Sequence, residues 1–322
     1  MLDLAGSVPG KLMIAGEYAV LQPPALALAV AVGRLVSWQA ASDGQGALHL
    51  RAFGVESSLA LTAAESAPGL PGFAGRAWAT GAVAWPLVGA PSVWLDVFGA
   101  VDGKKLGLGN SAAVTVAVLR ARAALAGATP SAAVLTDLAR DAHRQGQAGQ
   151  GSGYDVATIA HGGVVAFEPA TGAAAPLSWP EGLAAVALYA GEPAATADAL
   201  PRAQAMAPWL PGIAKAAMNL RDAWAGDVDG VLNALSACEA ATWAAEPVRA
   251  ALFPPSVQRA QQFLRNAGLV PRLSGAGGGD CVLGFGSPAE VAAAADAWRT
   301  AGGVVAAQLP ADLAPATQES DV

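Results

Sequence analysis

The 322-residue sequence has little charge: only 13% of its residues are Asp, Glu, Lys or Arg, and they balance to −7. An acidic chain with so few cations offers no electrostatic footprint for nucleic acid, and none is expected as a partner. Lysine is scarce. Four lysines (Lys11, Lys104, Lys105 and Lys215) stand against fourteen arginines, and three of the four border glycine-rich segments. Cys238 and Cys281 are too few for a disulfide framework or a thiolate metal site. Long apolar runs are missing, since the longest, residues 25–32, falls far short of the roughly 20 that span a bilayer. No secretory signal is visible, because Asp3 and a Gly-Lys turn interrupt the N-terminus. These absences predict a cytoplasmic globular protein with no membrane partner.

What is present is mostly small and apolar. About a quarter of the chain is alanine and 54% is hydrophobic, enough for a sizeable core, and the length suggests two domains. Apolar runs or period-two alternation predict strands over 12–14, 25–35, 48–53 and 93–98, the last with Val93, Leu95 and Val97 facing inward. Residues 60–75, rich in Pro and Gly, read as a loop or broken segment, and 73–88 as a helix that ends at Pro86. A helix apolar nearly all round starts at Ser111 and stops at Gly127, and Ser131 caps another that runs to about 145. Strands are expected over 164–167, 183–190, 281–285 and 304–309. Helices are expected over 194–207, 211–224, 228–245, 256–267 and 288–302, with a frayed tail after Pro310. The class is α+β with two domains, 1–180 and 181–322, divided near 176–182.

Glycine-rich segments carry the chemistry. Pro9-Gly10-Lys11 delivers a lysine to the end of a sheet, and Gly16-Glu17-Tyr18 turns the chain toward a second strand. Alone, this reads more simply as a hairpin with a solvated lysine. Lys104-Lys105-Leu106-Gly107-Leu108-Gly109-Asn110-Ser111 leads straight into the apolar helix. Such a helix start offers unpaired N–H groups and the positive end of the macrodipole, which suits phosphate, and Ser111 can reach a phosphate-bound Mg2+. It is no P-loop, because no Gly-Lys-Ser/Thr ends it. It is no dinucleotide fingerprint either, because the acidic residue expected about 20 positions on is missing. Leu273-Ser274-Gly275-Ala276-Gly277-Gly278-Gly279-Asp280-Cys281 places glycines between two apolar runs, as in a loop that packs closely on a backbone or ligand. Gly149 to Gly153 precede Asp155, which is either an N-cap or a base aimed into a site.

In this order the segments resemble the GHMP kinase superfamily across nearly the whole chain. Pro9-Gly10-Lys11 with Gly16-Glu17, then Gly107-Leu108-Gly109-Asn110-Ser111-Ala112-Ala113, then Leu273 to Asp280 look like its three motifs. The phosphomevalonate kinase branch is most similar, through Gly16-Glu17-Tyr18-Ala19-Val20, Ala142-His143, Gly151 to Ala157 and Asp280-Cys281. The resemblance implies an N-terminal domain like the second domain of ribosomal protein S5, a ferredoxin-like C-terminal domain, and a cleft between them. It implies ATP and Mg2+, with a small-molecule acceptor, 5-phosphomevalonate first and mevalonate second.

By the same resemblance, Gly107, Leu108, Gly109, Asn110, Ser111 and Ala112, with Lys105, hold the ATP phosphates. Gly275, Gly277 and Gly278 close over them, and Ser111 contacts Mg2+. Asp155 takes or orients the acceptor's proton, and Lys11 stabilises developing charge. Glu17, Tyr18, His143, Arg144, Ser152 and Ser274 face the acceptor, whose phosphate would draw on the cations Lys104, Lys105, His143 and Arg144. Two positions depart from the pattern. Asn110 stands where the family usually has Ser, and Arg144 where mevalonate kinases carry a Mg2+-binding Glu. A non-catalytic binding protein on the same fold would be expected to lose Lys11 or Asp155, and both are present. A homodimer is left open.

Overall fold

Small β-branched and apolar residues alternating with polar ones favour extended chain in the N-terminal half. The computed structural model describes residues 4–22, 24–98, 100–101, 104–191, 204–275, 277, 279–315 and 319–321. Its first sheet joins β1 (Leu4–Ala15), β2 (Ala27–Ala41), β3 (Ala47–Ala52), β4 (Val55–Ala60) and β5 (Ser92–Val97). A two-stranded ribbon follows, β6 (Ala100–Val101) with β7 (Lys104–Lys105). β8 (Val164–Glu168) pairs with β2, and β9 (Ala173–Leu177) pairs with β8. β1 and β2 run well beyond the predicted 12–14 and 25–35, because Ala, Gly and Ser mask the alternation at their ends. A register shift between Pro9 and Gly10 bends β1 just before Lys11. β4 and β9 escape sequence reading because both are largely exposed and carry no buried period.

The helices of this half are α1 (Leu61–Ala64), α2 (Leu70–Ala84), α3 (Asn110–Leu125), α4 (Ala132–Gly146) and α5 (Tyr154–His161). α3 is buried at every position from Ala112 to Ala123 and packs on β1, β2 and β5, with α2, α4 and α5 around it. The loop expected over 60–75 is corrected: it contains α1 and the start of α2. Pro71 occupies the first turn of α2, where its missing N–H is harmless, so it opens the helix rather than breaking the chain.

The chain then enters a second, antiparallel sheet of β10 (Ala184–Tyr189), β11 (Val270–Leu273), β12 (Cys281–Gly286) and β13 (Val305–Leu309). Its order, β11-β12-β10-β13, is the ferredoxin-like arrangement. The helices here are α6 (Leu210–Ala223), α7 (Val228–Trp243), α8 (Arg249–Leu252), α9 (Pro255–Asn266) and α10 (Pro288–Thr300). The helix expected over 194–207 lies, up to residue 203, outside the described residues. The frayed tail is a second correction. Leu313 bridges Val32, Pro315 bridges Gly162, and β14 (Glu319–Asp321) pairs with β1, so the end of the chain returns to the first sheet. One apolar cluster joins the halves, with Leu12, Ile14, Leu106 and Leu108 from the first against Leu283 and Phe285 from the second. Among the described residues no helix is long and apolar enough to cross a membrane.

Candidate active site

The start of α3 has no side-chain cap. Gly109 takes a left-handed conformation (φ 82°), and the helix ladder begins with Ala113 N–H donating to Gly109 O. The amides of Asn110, Ser111 and Ala112 therefore precede the ladder, at the positive end of the helix. Two close approaches explain the glycines of this loop. A Cβ at Gly109 would lie 2.9 Å from Lys11 Cε, and one at Gly107 would lie 2.4 Å from the carboxyl carbon of Asp280. The loop is pinned from both halves of the chain. Lys11 N–H donates to Leu108 O at 2.9 Å, and the buried Cys281 thiol donates to Leu106 O at 3.1 Å.

Lys11 lies in β1 with only 8% of its surface exposed. Its Nζ donates to the Tyr154 hydroxyl at 3.2 Å. Burial disfavours the ammonium, but the Tyr154 hydroxyl that it meets and the charges of Asp155 and Asp280 outweigh burial and hold its pKa above the ordinary value. Burial also pushes the Tyr154 phenol up, so a neutral hydroxyl faces a charged lysine. Asp155 follows at the start of α5. Its Oδ1 accepts from Val156 N–H at 2.9 Å, and its Oδ2 faces His143 Nδ1 at 3.7 Å. The opposite ring nitrogen, Nε2, is 3.1 Å from Ser111 Oγ. Ser111, His143 and Asp155 thus form a line across the start of α3, the last turn of α4 and the start of α5. Together these groups can receive a polyanion on helix amides and an ammonium, with hydroxyl and carboxylate oxygens available to a hard cation.

Other expected site residues are placed as follows. Ser274 Oγ accepts from Met13 N–H at 3.0 Å and ties the second glycine loop to β1, and a Cβ on Gly275 would reach within 3.7 Å of the Tyr154 hydroxyl. Gly277 packs on the Leu252 backbone, and Gly278 lies outside the described residues. Asn110 Nδ2 donates to Phe98 O at 3.0 Å, so its amide braces the preceding loop. Ser152 is buried and accepts from Tyr154 N–H at 3.5 Å. Tyr18 is buried with φ 55° at the turn after Gly16, and Lys105 is exposed on β7. Arg144 Nε donates to Gly151 O at 3.1 Å, fixing the loop before Asp155.

Two expectations are corrected. His143 offers an acceptor no exposed group: it is 2% exposed, packs against Phe73 and turns Nε2 to Ser111 and Nδ1 toward Asp155. Glu17 turns away from the cleft. It is 1% exposed and pairs with Arg272 of β11, which also donates to Ile14 O at 3.2 Å and to Glu239 at 3.3 Å. Burial pushes both carboxyls above the ordinary glutamate range despite that guanidinium. Burial likewise pushes the neighbouring Cys238 thiol up to about 11, leaving it unreactive. Sequence reading missed Tyr154 and Arg272 as members of this region. The one available signal was an arginine inside the apolar run 269–273.

A groove of about 630 Å³ lies away from these residues, on the face of the first sheet that carries His49, Arg51, Trp94 and Asp96. Within it Arg51 pairs with Asp96, and His49 stacks on Trp94.

The model for GHMP kinases N terminal domain matches residues 88–163, and the model for GHMP kinases C terminal matches 220–304, together half of the chain. No curated protein matches the sequence significantly. Several solved structures share the fold. Phosphomevalonate kinase of Streptococcus pneumoniae, in complex with phosphomevalonate and AMPPNP, is 20% identical with a TM-score of 0.80, covering 94% of this chain and 98% of that one. Mevalonate kinase of Methanococcus jannaschii is 14% identical with a TM-score of 0.76, covering 94% and 96%. Lactococcus lactis galactokinase complexed with galactose is 13% identical with a TM-score of 0.66, covering 99% and 95%.

Proposed function

The chain belongs to the GHMP kinase family, and on that premise we propose that it transfers the γ-phosphoryl group of ATP to the phosphate of 5-phosphomevalonate. One observation carries the transfer itself: an uncapped helix start and its glycine loop lie directly against a buried, charged lysine, with Asp155 on the neighbouring helix. Phosphoryl transfer asks for positioning and charge neutralisation more than for covalent chemistry, and these groups supply both. The acceptor is supported by the motifs shared with the phosphomevalonate kinase branch and by the likeness to the streptococcal enzyme, whose structure holds phosphomevalonate.

In the reaction an acceptor oxygen attacks the γ-phosphorus while the bond to the β–γ bridging oxygen breaks. ADP leaves with that oxygen. The amides of residues 110–112 bind the phosphates, and Lys11 faces the transferring group. A phosphate monoester loses its second proton near pH 6, so Asp155 removes a proton only from the minor, singly charged form of the acceptor. Ser111 and Asp155 offer hard oxygen atoms, which fit Mg2+, a cation that keeps waters and substrate phosphates among its ligands. Among the described residues no group of three or more His, Cys, Asp or Glu forms a dedicated metal cage. When bound, Mg2+ neutralises charge on the β- and γ-phosphate oxygens.

A second reading, mevalonate kinase, is favoured by Asp155 itself, because a hydroxyl acceptor must lose its proton and a carboxylate at the site supplies a base. A coupled ADP-release assay with both acceptors side by side separates the two. Turnover with 5-phosphomevalonate and none with mevalonate is the expected result. The reverse preference would transfer the reading to mevalonate and leave the kinase assignment standing.

A further inference from the structure

We propose that His143 is a positioning residue that fixes the direction of the Ser111 hydroxyl at the phosphate loop; this rests on the phosphoryl-transfer reading. The ring is buried at the end of α4 and held against Phe73 at 5.0 Å between centroids, so it has little freedom of its own. It faces a different element through each nitrogen: Nδ1 is 3.7 Å from Asp155 Oδ2, and Nε2 is 3.1 Å from Ser111 Oγ. The first distance is too long for a hydrogen bond but within electrostatic reach, and a carboxylate on that side favours the proton on Nδ1. In that tautomer Nε2, 3.1 Å away, accepts from the Ser111 hydroxyl. A serine hydroxyl has one hydrogen and two lone pairs, so spending the hydrogen on Nε2 directs both lone pairs toward the loop. Without the imidazole that hydrogen is free to rotate, and a lone pair toward a cation is no longer enforced. The same ring makes the base on α5 and the phosphate-binding end of α3 neighbours through one rigid group. This is the outer-shell logic by which a buried histidine orients a first ligand.

The test uses the full-length protein and four variants: His143→Ala, His143→Gln, Ser111→Ala, and His143→Ala combined with Ser111→Ala. Glutamine can place its carbonyl oxygen near the position of Nε2 and accept from Ser111. We expect His143→Ala to lower kcat about tenfold, the low end for loss of an outer-shell partner. The acceptor KM should stay within about twofold. The Mg2+ concentration that half-saturates calorimetric binding of AMPPNP should rise several-fold. His143→Gln should recover most of both effects, and the double variant should be no worse than Ser111→Ala alone, because one residue acts through the other. A raised acceptor KM with unchanged kcat would make His143 an acceptor contact and overturn the proposal. Additive losses in the double variant, or an unmoved Mg2+ requirement, would overturn it too. If the unmodified protein shows no Mg2+-dependent AMPPNP binding, the phosphoryl-transfer reading fails first, which is a distinct result from a failure confined to the variants.

Discussion

Lys11 and Arg272 are both cations buried where the two halves of the chain meet, yet their surroundings differ in kind. Arg272 is engaged at all three nitrogens: one carboxylate from the first half, one from α7 and a strand carbonyl each take one. Lys11 donates to a neutral phenol, while Asp155 and Asp280 act on it through their charge. A fully buried cation with a partner on every nitrogen is out of a ligand's reach and serves the fold. An ammonium held by a neutral partner keeps donors that an incoming phosphate can use. The contrast separates a clamp from a candidate binding site without reference to any bound molecule.

The strongest way to break this comparison is at the clamp. Arg272→Met removes the guanidinium and leaves two buried carboxylates facing each other. Breaking a buried ion pair from one side destabilises by about 3–5 kcal/mol, so a large fall in the urea midpoint is expected, with AMPPNP affinity kept in the folded fraction. A variant as stable as the parent would show that the pair is no clamp.

At Lys11 the weights reverse, and function is lost far more than stability. Lys11→Met should lower turnover by about 10²-fold or more while leaving the fold intact. Its melting temperature should fall by no more than a few degrees, because the surroundings that hold the ammonium's pKa above its ordinary value make it a modest contributor to the fold, far short of a broken ion pair. Wild-type turnover in this variant would remove Lys11 from the chemistry. A large loss of stability would move it into the same class as Arg272.

Much of this organisation is legible in the sequence, and the limits have physical causes. The glycine loop before α3 is readable because its demands are local: Gly107, Gly109 and Ser111 announce a close approach and a helix start within five residues. Ser131 as the cap of α4 and the buried alternation of Val93, Leu95 and Val97 are equally local. The clamp is not readable, since Arg272 meets Glu17 from 255 residues away and nothing beside Glu17 tells an inward turn from an outward one. Tyr154 meets Lys11 across 143 residues, and a tyrosine before an aspartate reads equally well as a core anchor. The returning tail was hidden because pairing with an existing edge needs no hydrophobic period of its own.

The smallest expected effect probes the excess acid of the clamp. Two carboxyls, Glu17 and Glu239, share Arg272, with Arg265 reaching Glu239 at 3.6 Å, and burial raises both pKa values. In the unfolded chain such a carboxyl loses its proton near its ordinary value of about 4.5. In the folded protein it keeps that proton to higher pH. Over that window the native state binds more protons than the unfolded state, so stability falls as pH rises. Glu239→Gln keeps an oxygen for Arg272 but cannot ionise, so its urea midpoint should fall less steeply than the parent's from pH 4.5 upward. Asp43 is lowered by a backbone hydrogen bond from Gln45, and Glu290 by its bonds with Ser287, so both push the other way. They are present in both proteins and cancel in the difference. Parallel midpoint profiles for the two proteins would show that Glu239 titrates alike in the folded and unfolded chain, and that Arg272 and Arg265 fully offset its burial in the clamp.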